Sequence, residues 1–398
     1  MDKLKMQHKY PVPHSIRSLE DCHNVEDFRE LAWRKLPFPV FHYIDGAADD
    51  ELTKARNTAA FADVDLVPNV LAGVEEIDTS IEIMGRKTAL PLILSPTALQ
   101  RLFHWQGERA VAKVAERHNL WFGISSLSSV SIEEIGANYA GPKMLQYYFH
   151  RDRGLNSALL ERARDAKFDA VALTVDTIVS GNRERCKRSR FKTPPEFTPA
   201  SFASYATRPR WGLNFLFRER FSLPNLETHV AEGSRSAISI QDYFDTMLDP
   251  DMDWAEVERL RNDWGGTFCL KGVMSAADAR RAADIGCDAI MVSNHGGRQL
   301  DGSRAPFDQL GEIVDAVGDR IEVICDGGVR RGTHVLKALA MGANAASGGR
   351  LYLYALAAAG EAGVERAVSI LQTEIERGMR LMGVKSVEEL NRSMLRTR

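Results

Sequence analysis

Cysteine is scarce in this sequence, and its spacing suggests no staple. Cys22, Cys186, Cys269, Cys287 and Cys325 are odd in number and form no C-x-x-C pair. That argues against a disulfide frame or a zinc site and for reduced thiols. Cys269 and Cys325 lie in apolar runs, where the expected role is that of a small buried hydrophobe. Strong charge is missing too. Lys and Arg number 51 against 54 Asp and Glu, a formal charge of −3, which gives no electrostatic case for a nucleic-acid partner. No run approaches the roughly 18 apolar residues that span a bilayer. The opening Met1-Asp2-Lys3-Leu4-Lys5 leads into no apolar segment of signal-peptide length. The expectation is a cytoplasmic protein, with peripheral attachment to the inner face of the cell membrane left open. No G-x-G-x-x-G follows an early strand, which disfavours a nicotinamide dinucleotide. Low-complexity tracts are absent, and so is any repeat beyond the alternation described next.

What is present is a large core, with 44% hydrophobic residues in 398. Apolar runs at 90–98, 120–126, 143–149, 170–176, 267–273, 289–294, 322–327 and 345–350 alternate with amphipathic stretches such as 107–117, 158–166, 276–285 and 333–341. Eight buried strands alternating with helices predict an α/β fold, a closed parallel (β/α)8 barrel of the TIM type. The whole chain, 1–398, reads as one domain: a helical extension over 1–89, the barrel over 90–360 and C-terminal helices over 361–398. In the extension, Asn24 can cap a helix running to Leu36, and a short second helix over 40–44 carries Tyr43. A long insertion, 177–253, interrupts the barrel after the fourth strand. It contains Pro194-Pro195, several Arg and the aromatic residues Trp211, Phe215, Phe217 and Phe221, and suits a lid, a specificity loop or a docking surface.

In such barrels the C-terminal strand ends share one face, so distant residues converge there. The sixth run ends in Ser293-Asn294-His295-Gly296-Gly297-Arg298-Gln299-Leu300-Asp301-Gly302. It places an imidazole suited to proton abstraction three residues from a guanidinium suited to gripping a carboxylate. Asp176, at the end of the fourth run, can orient His295. Ser125 and Ser126 offer hydroxyls to a heterocycle's edge, and Gln146, Tyr147 and Tyr148 an amide and two phenols. Lys271 is costly to bury without a partner, and beside a flavin's pyrimidine edge it would stabilise the negative charge of reduction. Asp326-Gly327-Gly328-Val329-Arg330-Arg331-Gly332 and Gly348-Gly349-Arg350 follow the last two runs, where barrels bind phosphate.

These motifs together resemble the family of FMN-dependent enzymes that oxidise 2-hydroxy acids, among them glycolate oxidase, L-lactate dehydrogenase, lactate oxidase and mandelate dehydrogenase. The resemblance runs from about Asn24 to about Leu390. It implies that His295 is the base and Asp176 its partner, that Arg298, Arg183 and Tyr43 hold the substrate carboxylate, and that Tyr148 bonds the 2-hydroxyl. It also implies FMN as cofactor. Lys271 would meet the flavin N1/O2 edge, and Ala98, Ser125, Gln146 and Thr174 the ring or ribityl chain. Arg330, Gly349 and Arg350 would hold the phosphate, with Ser293, Asp326 and Gly328 completing the cofactor set. A homotetramer and O2 or a quinone as electron acceptor are implied as well.

The chain departs from the family in three places. Tyr147 stands where Leu or Val is usual, Gly348 where an apolar residue is usual, and Leu127 where glycolate oxidases carry Trp. The last argues against glycolate and for a lactate-like or larger substrate. Two other readings remain at this stage. One is a member that couples oxidation to decarboxylation or acts on a specialised metabolite. The other is a flavin-binding scaffold without chemistry.

Overall fold

The computed structural model describes residues 16–193, 195, 205–226, 243 and 246–398. Eight parallel strands, β1 (Leu92–Thr97), β2 (Trp121–Ser125), β3 (Lys143–Tyr148), β4 (Ala170–Thr174), β5 (Thr267–Val273), β6 (Ala289–Val292), β7 (Glu322–Asp326) and β8 (Ala345–Gly348), close into a barrel. Each pairs with the next in sequence, and β8 closes onto β1 through Ala346↔Leu92 and Gly348↔Leu94. Helices such as Glu108–Arg117, Ala276–Asp284 and Gly332–Met341 return the chain between strands. The expected (β/α)8 barrel is the observed one.

Side chains alternate along each strand, so every second residue points into the barrel. Near the strand starts these inward positions are apolar: Ile93, Trp121, Met144, Ala170, Ala172, Cys269, Ala289, Met291, Ile324 and Ala345 pack as one buried cluster. A hairpin, Ile81–Ile83 with Arg86–Thr88, plugs that end. Ile83 O accepts from Trp121 Nε1–H at 3.2 Å, and Glu322 accepts from Met84 N–H at 2.7 Å. Two residues further along the same inward faces, the side chains turn polar at Ser95, Gln146, Thr174, Lys271, Ser293 and Asp326, and at Ser125 four residues beyond Trp121, past Gly123. The barrel is thus sealed at one end and chemically equipped at the other. Outward-facing residues, Leu145, Tyr147, Leu173 and Leu270 among them, join the larger core beneath the helices.

Among the described residues, three α-helices precede the barrel: α1 (Val25–Lys35), α2 (Phe38–Asp45) and α3 (Leu52–Ala59). Asn24 Oδ1 accepts from the N–H groups of Glu26 and Asp27 at 2.8 and 3.1 Å, the expected cap of α1. The first 89 residues are not helical throughout. They also hold the plug hairpin and a strand, Val64–Leu66, which pairs antiparallel with Leu395–Thr397 at the far end of the chain. The C-terminal segment accordingly finishes in a strand rather than a helix. Residues Arg350–Met382 form helix on either side of a break at Ala359 and Gly360, where Gly360 takes φ +61°.

Within the insertion, the described residues form the helices Glu184–Arg188 and Pro209–Phe217. Tyr205, Trp211 and Phe215 stack in sequence. Phe217 does not join them and is 80% exposed, because it lies on the opposite side of the helix from Trp211 and Phe215. Pro194 lies outside the described residues.

Candidate active site

The polar end of the barrel opens into a cavity of about 960 Å³ of empty space, solvent included. Tyr43, Ala98, Ser125, Gln146, Tyr148, Thr174, Arg183, Lys271, His295, Arg298, Asp326, Gly328, Arg330, Gly349 and Arg350 all line it. Asp176 and Ser293 do not. Each stands behind the wall, hydrogen-bonded to a side chain that does.

Asp176 accepts from His295 Nδ1–H at 3.1 Å, and Thr177 Oγ1 lies 3.2 Å from the same nitrogen. With Nδ1 engaged, Nε2 is the ring nitrogen left for a substrate. Burial lowers the pKa of His295, and the Asp176 charge offsets that only in part, so the ring is held below its ordinary range. The result is a neutral imidazole, the form a base requires. For Asp176, burial pushes the pKa up, but His295 and Lys271 outweigh it and keep the carboxylate ionised. Tyr148 is raised by burial and by the Asp176 charge, so its phenol stays a donor.

Lys271 is almost fully buried and is not alone. Its ammonium lies 2.9 Å from Asp326 Oδ2 and donates to Ser293 Oγ at 3.0 Å. Ser293 and Ser95 hydroxyls donate to the two oxygens of Asp326 at 2.7 and 2.9 Å. Burial opposes the Lys271 charge, but Asp326 and Asp176 reverse that and raise its pKa. The cation is fixed at the cavity floor.

The loop after β6 is shaped by its own residues. His295, Gly296 and Gly297 all take left-handed φ, at +56°, +66° and +76°. For a His this costs on the order of 1–3 kcal/mol, and neighbouring contacts hold it in place. Asn294 and Asn57 exchange reciprocal amide bonds, both at 2.7 Å. Gln299 Nε2 donates to the carbonyls of Asp176 and Val179 at 3.2 and 2.9 Å, tying this loop to the one after β4. Asp301 caps α3 through the N–H groups of Leu52 and Thr53. At Gly297 a Cβ would meet Lys54 N at 2.6 Å, so α3 can pack this closely only against glycine.

Arg183, Arg298, Arg330 and Arg350 line the cavity, whereas among the described residues the one carboxylate on its lining is Asp326, already paired with Lys271. Arg298 Nη1 donates to the carbonyls of Tyr43 and Gly46 at 2.6 and 3.1 Å, and the guanidinium lies 4.9 Å from the Tyr43 ring centre. Arg350 donates to the carbonyls of Ile44, Gly46 and Gly296, which anchors the end of α2 to the loop after β6. Burial pushes Arg350 down to about 10, and burial together with Arg298 does the same to Arg183. A cavity that gathers this much positive charge is suited to anions.

The residues present fit FMN. A wall formed by Ser95, Pro96, Thr97 and Ala98 faces the neutral hydrogen-bonding groups of Ser125, Gln146 and Thr174, with Lys271 at the floor. Gly327, Gly328, Arg330, Gly349 and Arg350 make a glycine-lined, cationic pocket at the start of the helix from Arg350, the chemistry a phosphate calls for. Gly328, at φ +76°, leaves no room for a Cβ, which would meet Asn57 O at 2.0 Å.

Sequence reasoning missed Asn57, Gln299 and Tyr352. Tyr352 OH donates to Ser95 O at 2.6 Å and lies 2.7 Å from Thr97 Oγ1, bracing the wall at the end of β1. Gln299 stands in the motif after β6, but nothing local marks its partners or those of Asn57 and Tyr352, since each acts on a segment distant in sequence. Ser95 carried a usable signal, being two residues beyond the inward-facing Ile93. Of the departures, Tyr147 faces the helix layer with its hydroxyl buried and unpartnered among the described residues. Gly348 makes room for Leu351, whose Cδ2 would lie 2.4 Å from a Cβ there.

Known proteins share this arrangement. The model of the FMN-dependent dehydrogenase family matches residues 32–397. An L-lactate dehydrogenase of Caulobacter vibrioides is 38% identical over 94% of this chain and 97% of its own. An L-lactate oxidase of a Nostoc species is likewise 38% identical, over the same shares of the two chains. The solved structure of the monotopic membrane protein (S)-mandelate dehydrogenase matches with a TM-score of 0.89 at 32% identity, over 95% of this chain and 100% of that one. With the barrel, the buried lysine and the histidine–aspartate pair in place, the chain belongs to the FMN-dependent dehydrogenase family, the FMN-dependent enzymes that oxidise L-2-hydroxy acids to 2-oxo acids.

Proposed function

We propose that this enzyme acts on an L-2-hydroxy acid of lactate size or larger. The observation that carries the reading is the company His295 keeps. A neutral, Asp176-bound imidazole shares its cavity with Arg183 and Arg298 and, among the described residues, with no free carboxylate on the lining. Arg298 and Arg183, with Tyr43, hold the substrate carboxylate. Tyr148 donates to, or accepts from, the 2-hydroxyl, and His295 takes a proton from the substrate at Nε2. Asp176 then stabilises the imidazolium across 3.1 Å. Bound FMN supplies the two-electron acceptor, and Lys271 would favour its reduced, more negative form. Leu127, buried at the cavity wall, sets the space beside C2. The test is product formation with a dye acceptor. The enzyme is expected to form 2-oxo acid from L-lactate or a larger L-acid but not from the D-enantiomers. Activity confined to glycolate would contradict the size assignment.

Peripheral membrane attachment belongs to the same proposal. Among the described residues no helix is long and apolar enough to cross a membrane. Pro209–Phe217, however, presents Leu213, Leu216 and Phe217 outward at 56%, 60% and 80% exposure. These lie at i, i+3 and i+4, one stripe of a helix, with exposed Arg210, Arg218 and Arg220 nearby. Apolar side chains in the acyl boundary with arginines at headgroup depth is the pattern of an interfacial helix. A homotetramer is also proposed, and sedimentation equilibrium measures it.

A further inference from the structure

On both sides of Arg183 in sequence, the chain is bonded to the turn between α2 and α3. One residue before it, Asn182 O accepts from Asp49 N–H at 2.9 Å, and Asn182 Nδ2 donates to Asp49 Oδ1 at 2.7 Å. Two residues after it, Arg185 reaches two carboxylates at once. Its Nε and Nη2 donate to the two oxygens of Glu51, each at 2.6 Å, a two-pronged grip. Its Nη1 donates to Asp45 Oδ2 at 2.8 Å. Asp45 is the last residue of α2, two beyond Tyr43, and Glu51 directly precedes α3. One guanidinium thus joins the end of α2, the start of α3 and the helix Glu184–Arg188 of the insertion. Further on, the Phe191 ring stacks on that of Tyr43, with centroids 4.5 Å apart and planes at 18°.

Both carboxylates are ionised. Burial pushes Asp45 up, but Arg29 and Lys54 outweigh it and hold the group below its ordinary range. Burial also opposes the Glu51 charge, and the bonds from Arg185 and Ala47 bring that pKa down to about 2. Asp45 does not depend on Arg185 for its charge, since Arg29 Nε lies at 2.6 Å and Lys54 Nζ at 3.3 Å. Loss of Arg185 therefore strands no buried carboxylate, and the effect to expect is displacement of a segment rather than unfolding.

The groups assigned to the substrate carboxylate come from three segments: Tyr43 on α2, Arg298 after β6 and Arg183 on the insertion. Arg298 is tied to α2 through the carbonyls of Tyr43 and Gly46. Arg183 can share one carboxylate with these two only where the insertion stands at a set distance from α2. We propose that Arg185 is a positioning residue which fixes that distance and so sets the affinity for the substrate carboxylate; this rests on the 2-hydroxy acid reading, which supplies the anion. Arg185 touches no reacting atom, so its loss should weaken binding and spare the chemical step.

The test uses the FMN-loaded protein with pyruvate, the 2-oxo acid of L-lactate, as probe, read by perturbation of the flavin absorbance. Arg185→Met should raise the pyruvate Kd and the KM for L-lactate by about tenfold or more, with flavin reduction at saturating L-lactate within about threefold. Arg185→Lys keeps the charge but not the fork, and should still bind pyruvate at least about threefold more weakly. Glu51→Gln added to Arg185→Met should cost little beyond the larger single change, because both act through one contact. Unchanged pyruvate affinity in folded, flavin-loaded Arg185→Met, full affinity in Arg185→Lys, or a loss confined to the saturated rate overturns the proposal. On the unaltered enzyme, pyruvate should slow hydrogen exchange over 43–51 and 182–191 together, which decides the matter even if the variants fail to fold; protection of one segment alone overturns it. If no hydroxy acid bleaches the flavin and pyruvate does not bind, the functional reading fails. Faster exchange over 43–46 in Arg185→Met than in the unaltered protein then still upholds the positioning role, and equal exchange overturns it.

Discussion

Asp176→Asn is the substitution whose consequence follows most directly from the geometry. The carboxylate sits 3.1 Å from His295 Nδ1 and is the charge that offsets burial of the ring. An opposite charge at such range shifts a pKa by about 1–3 units, or roughly 1.4–4 kcal/mol. Without it, burial acts unopposed and the pKa of His295, already below its ordinary value, falls further. The sign for activity is then fixed. With His295 as the proposed base, substrate oxidation needs the neutral ring, so the wild-type rate should fall as the pH drops through a pKa below about 6.5. In the variant that acid limb moves to still lower pH. The plateau also drops, by about 10–10³-fold, because the ring is a weaker base and its tautomer is no longer set by a carboxylate. The assay is anaerobic stopped-flow reduction of the bound flavin by L-lactate across pH, with flavin content matched. A plateau within about threefold of wild type, or an acid limb shifted upward, would refute the reasoning.

Other substitutions test separate parts. Leu127→Trp should fill the space beside C2 and cut any preference for lactate over glycolate, since one methylene is worth about 10–200-fold in kcat/KM; an unchanged ratio removes Leu127 from specificity. Lys271→Met should lower the flavin reduction potential in dye equilibration. It should also destabilise the fold by about 3–5 kcal/mol, because Asp326 is left buried and unpaired; an unchanged potential in the flavin-loaded variant contradicts the assignment. Gly297→Ala meets both a left-handed φ and Lys54 N at 2.6 Å, so urea unfolding should show a loss of about 1–3 kcal/mol. Leu213→Ser with Phe217→Ser should abolish co-sedimentation with anionic vesicles without touching lactate oxidation, and equal sedimentation would leave that helix as a lid or oligomer contact.

The barrel was legible because each strand is a short apolar run and each return a helical period, signals that survive in a single sequence. The strand-end residues were legible for the same reason, since the switch from Met144 to Gln146, or from Cys269 to Lys271, occurs on one alternating face. What could not be read are pairings across distance. Asn57 with Asn294, Tyr352 with Ser95 and Gln299 with the loop after β4 join segments whose proximity only the closed barrel creates. The ends of the chain were misjudged for a related reason. Val64–Leu66 and Leu395–Thr397 are too short to show a period, and each is a strand only because the other lies beside it. Phe217 was grouped with Trp211 and Phe215 by sequence closeness, although helical geometry sends it to the opposite side.

The central claim is most directly tested by anaerobic titration of the FMN-loaded protein with L-lactate, (S)-mandelate and glycolate, followed by the visible flavin absorbance. Bleaching by L-lactate or the larger acid is expected, with one 2-oxo acid formed per flavin and a rate at least about tenfold above that with glycolate. His295→Gln, still yellow, should bleach about 10²–10⁴-fold more slowly. A flavin that no 2-hydroxy acid bleaches, or one that bleaches as fast without His295, would contradict it.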